Sequence, residues 1–213
     1  MNKNTSKDIA IMGFFVAIIL LLAATPLGFV PLGFMRATTL HIPVIIGSIF
    51  LGPKRGAALG LVFGLTSLYI NTTAPTVTSF VFSPAIPVPG LDRGSLLALL
   101  VVLLPRILTG VFPYYAFNFA KKIMPNKISG ASYLIAGVVG SLTNTIFVMH
   151  FIFIFFGSEW AAARGGTSAI YPVILSVIAV NGVPEAIVAG ILVSAVGGAL
   201  NALLPAIKKP RQE

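Results

Sequence analysis

The chain has 213 residues, of which 57% are hydrophobic and 9% charged, with no cysteine and a formal net charge of +9. This balance excludes an ordinary soluble domain, and the missing cysteine excludes disulfides and thiolate metal sites. The positive charge does not point to nucleic acid, because it is dispersed between apolar segments as anchors for an anionic inner leaflet.

Each apolar segment of about 20 residues is a candidate membrane span. The first covers about 8–27, after Lys3 and Lys7. It follows a basic start as a signal peptide does, but no small-x-small cleavage site separates it from the rest, so it reads as a retained span. An outer loop, about 28–37, carries Gly28, Pro31 and Gly33. The second and third spans, about 38–52 and 55–71, are short and flank the inside turn Gly52-Pro53-Lys54-Arg55-Gly56. Residues 72–94 cannot form one helix, because they hold Pro75, Pro84, Pro87 and Pro89, yet Val77, Phe80, Val81 and Phe82 keep them apolar. A long loop of this kind reads as a lid over a binding site; the plainer alternative is a loop resting on lipid headgroups. The fourth span, about 95–120, is expected to break near Pro105 and Pro113. The fifth covers about 130–156, and the sixth about 171–205 with a kink expected at Pro184.

Ten of the fourteen Lys and Arg residues fall on one side: Lys3, Lys7, Lys54, Arg55, Lys121, Lys122, Lys127, Lys208, Lys209 and Arg211. Arg36, Arg93 and Arg164 fall on the other, and Arg106 lies inside a span. The positive-inside rule then puts both termini in the cytoplasm. The expectation is an all-α membrane protein, a single membrane domain over 1–213 with six spans, no attached ATPase domain and no internal repeat.

Two stripes of small residues invite close helix packing. Gly56, Gly60 and Gly64 line one face of the third span, where packing within the bundle is the usual outcome. Ala10, Gly13 and Ala17 line the first span, where intramolecular packing and a partner helix stay open. Polar groups inside spans are costly unless satisfied and default to function. They are Arg106, Asn144, His150, Asn181 and Glu185. Asn181 and Glu185 are one helical turn apart and are expected to share a face. Arg106 and Glu185 read either as an internal ion pair or as part of a polar pocket for a small solute. His41, at the outer start of the second span, reads as interfacial or as a ligand. Trp160 and Tyr171 are equally ambiguous, since aromatics favour the interface. Nothing supports catalysis: there is no Walker A motif, no acidic cluster beside a histidine and no nucleophile positioned by a base.

Three segments carry a resemblance. Thr39–Gly47 reads TLHIPVIIG, Leu51–Ala57 reads LGPKRGA, and Gly60–Ser67 reads GLVFGLTS. Together they resemble the substrate-binding S components of energy-coupling factor (ECF) vitamin transporters, over essentially the whole chain. With Ser79-Phe80-Val81-Phe82-Ser83-Pro84, the pattern looks most like the pantothenate-type members. The resemblance implies a vitamin binder open to the outside, capped by the loops 28–37 and 72–94, that topples within the membrane of a prokaryotic cell. It implies a separate transmembrane coupling subunit and two ATPase subunits as partners, with Ala10, Gly13 and Ala17 as the coupling surface, although a glycine and uneven spacing depart from the family's alanine pattern. No cofactor is expected.

Pantothenate carries a carboxylate, an amide and two hydroxyls. Arg106 suits the carboxylate; Asn144, Asn181 and Glu185 suit the amide and hydroxyls. Phe82, Ser83, Trp160 and His41 complete the expected lining. Riboflavin, folate, hydroxymethylpyrimidine and pyridoxine are the alternative cargoes. A stand-alone proton-coupled carrier, an intramembrane enzyme and a structural subunit are the alternative classes.

Overall fold

The computed structural model describes residues 3–32, 35–124, 129–166 and 169–208. Lys127, Lys209 and Arg211, three of the expected inner anchors, lie outside them. Among the described residues eight α-helices form six segments: α1 (Lys3–Ala23), α2 (His41–Leu51), α3 (Pro53–Thr73), α4 (Leu97–Thr109) with α5 (Phe112–Ile123), α6 (Ser129–Ala162), and α7 (Ile170–Val177) with α8 (Val183–Lys208). The loop expected at 28–37 contains an antiparallel hairpin, β1 (Phe29–Leu32) paired with β2 (Met35–Thr38). Leu97–Ile123, Gly130–Ala162 and Ile170–Leu203 are long and apolar enough to cross a membrane; Asp8–Ala23 and His41–Leu51 are shorter apolar helices.

α2 is the centre of the bundle. At 1.5 Å per residue its 11 residues span only about 16 Å. Nearly every side is buried, which is why its sequence is apolar all round. The tight connection to α3 needs Gly52, whose φ of +89° suits glycine, followed by Pro53 in the first helical turn. α3 buries the stripe Gly56, Leu59, Gly60, Phe63, Gly64, Ser67 and Asn71. A Cβ at Gly56 would collide with the Gly110 carbonyl, and one at Gly60 with the Arg106 carbonyl. The glycine stripe is therefore used inside the bundle, backbone against backbone, between α3 and α4. Ser48 reinforces the junction by donating to the Gly110 carbonyl at 2.6 Å.

The fourth segment breaks at Gly110–Val111. Pro105 stays inside α4 and Pro113 sits in the first turn of α5, where a missing N–H costs nothing. In α6 the expected end at 156 is a kink, since Phe156 leaves helical geometry (φ −143°, ψ 20°) and the helix resumes to Ala162. α1 packs on the inner core through Met12, Phe15, Val16, Ile19 and Leu22. Its opposite face, with Ala10, Gly13 and Ala17, is exposed, and nothing lies within 4 Å of a Cβ built on Gly13. At the inner end Asp8 pairs with Arg55 at 2.8 Å, tying α1 to α3. Both side chains are partly exposed, so the pair orients more than it stabilises.

Gly60→Leu is expected to destabilise the detergent-solubilised protein by roughly 1–3 kcal/mol or more through overpacking against α4, while Gly13→Leu leaves stability unchanged. Thermal unfolding of the two variants, followed by circular dichroism, checks the contrast; equal melting temperatures would contradict the α3–α4 packing.

Candidate functional site

The buried apolar side chains divide into two clusters. One, called inner because it lies toward the basic turn that the positive-inside rule assigns to the cytoplasm, gathers Phe15, Val44, Ile45, Ile49, Leu59 and Phe63 with their neighbours; the other, the outer one, gathers Phe80, Val101, Met149, Ile152, Trp160 and Ile174 with theirs. Between them lies a layer of buried polar groups, which in an apolar bundle must either pair or serve a ligand.

Arg106 is its centre, only 5% exposed. One terminal N–H donates to the Val101 carbonyl at 3.0 Å, and Nε is buried with no partner. The guanidinium lies between two rings, 5.5 Å from the Phe63 centroid and 5.2 Å from that of Phe82. These are cation–π contacts, strong where water is excluded. One ring belongs to the inner cluster and the other is packed against the outer, so the guanidinium sits at the seam.

Helix registers bring the other groups to this level. Gly140 of α6 faces Ile45 of α2 and Pro113 of α5. His41 and Asn144, each one turn further outward, therefore share a level, and Arg106 comes within about one turn of it. Gly182 faces Thr145, which sets Glu185 of α8 close by. The Glu185 carboxylate lies beside the Thr38 backbone and in the field of Arg106. The two groups, read from the sequence as an ion pair or as parts of a polar pocket, form no salt bridge within 4 Å. Asn144 Oδ1, Ser141 Oγ and both ring nitrogens of His41 are buried without hydrogen-bond partners. The Thr38 carbonyl stands beside the imidazole but outside hydrogen-bond geometry. His41 is thus enclosed by the bundle, 2% exposed.

The segment 72–94 is seated on the bundle. Phe80, Val81, Ser79 and Ser83 are buried, and Phe80 meets Phe156 edge to face at 6.0 Å. A chain of hydroxyls holds it to the end of α3. Ser79 donates to Asn71 Oδ1 at 2.8 Å, Asn71 donates back to the Ser67 carbonyl, and Thr72 and Ser83 share a bond of 2.7 Å. Phe82, carried by this segment, covers Arg106, while Ser83 fastens the segment rather than facing the guanidinium.

Asn181 is half-buried in a π-turn, Ile178–Gly182, that precedes α8. Trp160 is fully buried but belongs to the outer cluster, roughly 24 Å along α6 from Asn144. Its ring is covered by Arg164, 4.5 Å away, and its Nε1 is buried without a hydrogen-bond partner. His150 bonds the Ile146 carbonyl and meets Tyr171 on the bundle's flank. Sequence reasoning missed Phe63, Thr38 and Ser141. Phe63 was findable, three residues after Gly60 on the buried stripe, and Ser141 lies one turn before Asn144.

A buried guanidinium with two aromatic faces and an idle N–H, among unpartnered oxygen and nitrogen atoms, suits a small ligand bearing a carboxylate and further polar groups. None of the described residues forms a cluster of three His, Cys, Asp or Glu suited to a metal ion.

The sequence profile described as "ECF transporter, substrate-specific component" matches residues 7–197. The Pantothenic acid transporter PanT of Lactococcus lactis subsp. cremoris is 38% identical, over 99% of this chain and 98% of its own length. The Pantothenate transporter PanT of Leuconostoc mesenteroides subsp. mesenteroides is 30% identical, over 94% of this chain and 95% of its own.

Burying a charge without a full set of partners is costly, and an apolar replacement is often neutral or stabilising. Arg106→Met is therefore expected to leave the ligand-free unfolding temperature unchanged or higher, by up to about 4 kcal/mol of stability. A marked fall in calorimetric melting temperature would show that the guanidinium's present contacts already outweigh its desolvation.

Proposed function

The chain belongs to the substrate-specific components of ECF transporters, and from that membership we propose that its cargo is pantothenate, bound in the polar layer around Arg106. The observation that carries the reading is the Arg106 guanidinium, buried between Phe63 and Phe82 with its Nε unpartnered. Its field is suited to the cargo's carboxylate. Asn144, Asn181, Glu185 and His41 supply donors and acceptors for the amide and the two hydroxyls. The names of two relatives, each covered over nearly its full length, support the same cargo.

The segment 72–94 and the hairpin 29–38 act as the cap. Cargo entry requires Phe82 to leave Arg106 or to share it, because the ring occupies one face of the guanidinium. The protein works in the cell membrane as a six-span subunit with both termini inside. The exposed α1 face with Ala10, Gly13 and Ala17 meets a transmembrane coupling subunit, whose two ATPase subunits drive the reorientation that delivers the cargo. The Asp8–Arg55 pair, at the inner end of that face, fixes the rotation of α1.

Titration calorimetry of the purified protein with pantothenate tests the cargo, and stoichiometric binding is expected. Arg106→Ala should weaken it at least a hundredfold, about 2.7 kcal/mol. The same substitution should leave binding of the primary-alcohol analogue, which has no carboxylate, nearly unchanged. Undiminished pantothenate binding would remove Arg106 as the anchor; binding of a different vitamin in a panel would replace the cargo. Substituting Gly13 by Leu is expected to preserve cargo binding and abolish co-purification with the coupling subunit. Retained co-purification would mean that another face docks.

A further inference from the structure

The last segment changes its helical register in the middle. Along α7 the buried positions are Ile174 and Val177, three apart; from Gly182 at the end of the turn they continue along α8 as Ala186, Ala189 with Gly190 beside it, Val193 and Gly197, a stripe that recurs every three or four residues. Between Val177 and Gly182 the spacing is five. The backbone agrees, since the Val183 N–H donates to the Ile178 carbonyl, an i→i−5 bond in place of i→i−4. One residue has been inserted into the helix, and its side chain costs nothing, because Val180 is 70% exposed on the bundle's outside.

The insertion reconciles two packing demands. α7 must turn Ile174 and Val177 into the outer cluster. α8 must turn glycine and alanine toward α6, where a Cβ at Gly182 would meet Thr145 at 2.8 Å and one at Gly137 would meet the Ala189 carbonyl at 2.7 Å. A plain α-helix advances 100° per residue and cannot satisfy both. With the insertion, Glu185 heads the stripe that continues through Ala189 and Val193 into the inner cluster. Asn181 lies in the turn itself. Pro184 fits the same arrangement, since its ring would clash with the Val180 carbonyl in a plain helix.

We propose that the π-turn at Ile178–Gly182 is the positioning element of the cargo site. It sets Asn181 and Glu185 toward Arg106 and the Thr38 end of the hairpin, so that the site reads the cargo's hydroxyls and amide from this side and its carboxylate from the other. The proposal rests on the cargo reading above. Turns of this type frequently mark functional sites, and here the turn stands where the two apolar clusters meet.

The test removes Val180 in a Pro184→Ala background, which lets the segment close into a plain helix, and compares it with Pro184→Ala alone. The deletion is expected to weaken pantothenate binding at least tenfold and to weaken the primary-alcohol analogue equally, in contrast to Arg106→Ala. Asn181→Ala/Glu185→Gln in the full-length chain should reproduce that loss for both compounds, and adding it to the deletion should cause little further loss. Binding within threefold of the Pro184→Ala parent would overturn the proposal, as would a wild-type affinity in the Asn181/Glu185 double variant. If the deletion does not yield folded protein, the double variant decides alone. A wild-type protein that binds neither compound would refute the cargo assignment, a separate result.

Discussion

Everything in this bundle is arranged around one costly fact, a guanidinium buried in an apolar interior. A charge there is tolerable only with close, well-oriented partners. The partners found are one carbonyl, two aromatic faces and a distant carboxylate, and they leave Nε idle. A structural arginine would have closed a salt bridge with Glu185. The open spacing of the two groups leaves room in chemistry for a third party that is itself a carboxylate. Function therefore accounts for a group that stability alone would have removed.

The approach of α3 to α4 is what holds that arginine in place. Gly60 lies directly against the Arg106 carbonyl, so the residue that carries the charge is also a point of close helix contact. Any side chain at Gly60 would displace the guanidinium along with its helix. Phe63, one turn further along α3, then supplies the inner ring. Closeness of backbones and orientation of the charge are thus one constraint, set by a glycine three residues before an aromatic.

Much of this was legible in the sequence. Runs of apolar residues gave six helical segments because burying or lipid-solvating them leaves the backbone no alternative to internal hydrogen bonding. Glycines spaced by four announced a close approach, and the lone intramembrane arginine announced a buried charge. What stayed hidden depended on partners far away in the chain. The hairpin 29–38 hides behind Pro31 and a glycine, which read as loop punctuation. Pro105 looked like a break but stays helical, while the real break falls at Gly110, whose carbonyl is claimed by Ser48 and pressed by Gly56. The enclosure of His41 stayed hidden because proximity to a span's end says nothing about what closes over it. The register change before Pro184 was visible only as a kink, since a proline fixes the place of a distortion but not its type. Asp8 and Arg55, assigned to the inner starts of two different spans, shared a side in the sequence reading but gave no sign of meeting.

The distribution of packing also separates what must be rigid from what must be adaptable. Glycine and alanine contacts knit α3 to α4 and α6 to α8, so the interior cannot shear without collisions between backbones. α1 differs: it lays one apolar stripe on the core and leaves its small residues facing outward. Small residues on a lipid-facing side gain nothing from lipid, since chains of hydrocarbon pack as well on leucine. They gain when another helix must come close. On that flank Ala10, Gly13 and Ala17 lie open among the exposed Ile9, Phe14 and Leu21, so a neighbouring helix can come close at the small residues and be gripped by the large ones. The polar layer, by contrast, sits at the seam of two clusters rather than at a helix end. There the polar groups come from α2, α4, α6 and α8 together, and they belong to the body rather than to any one loop.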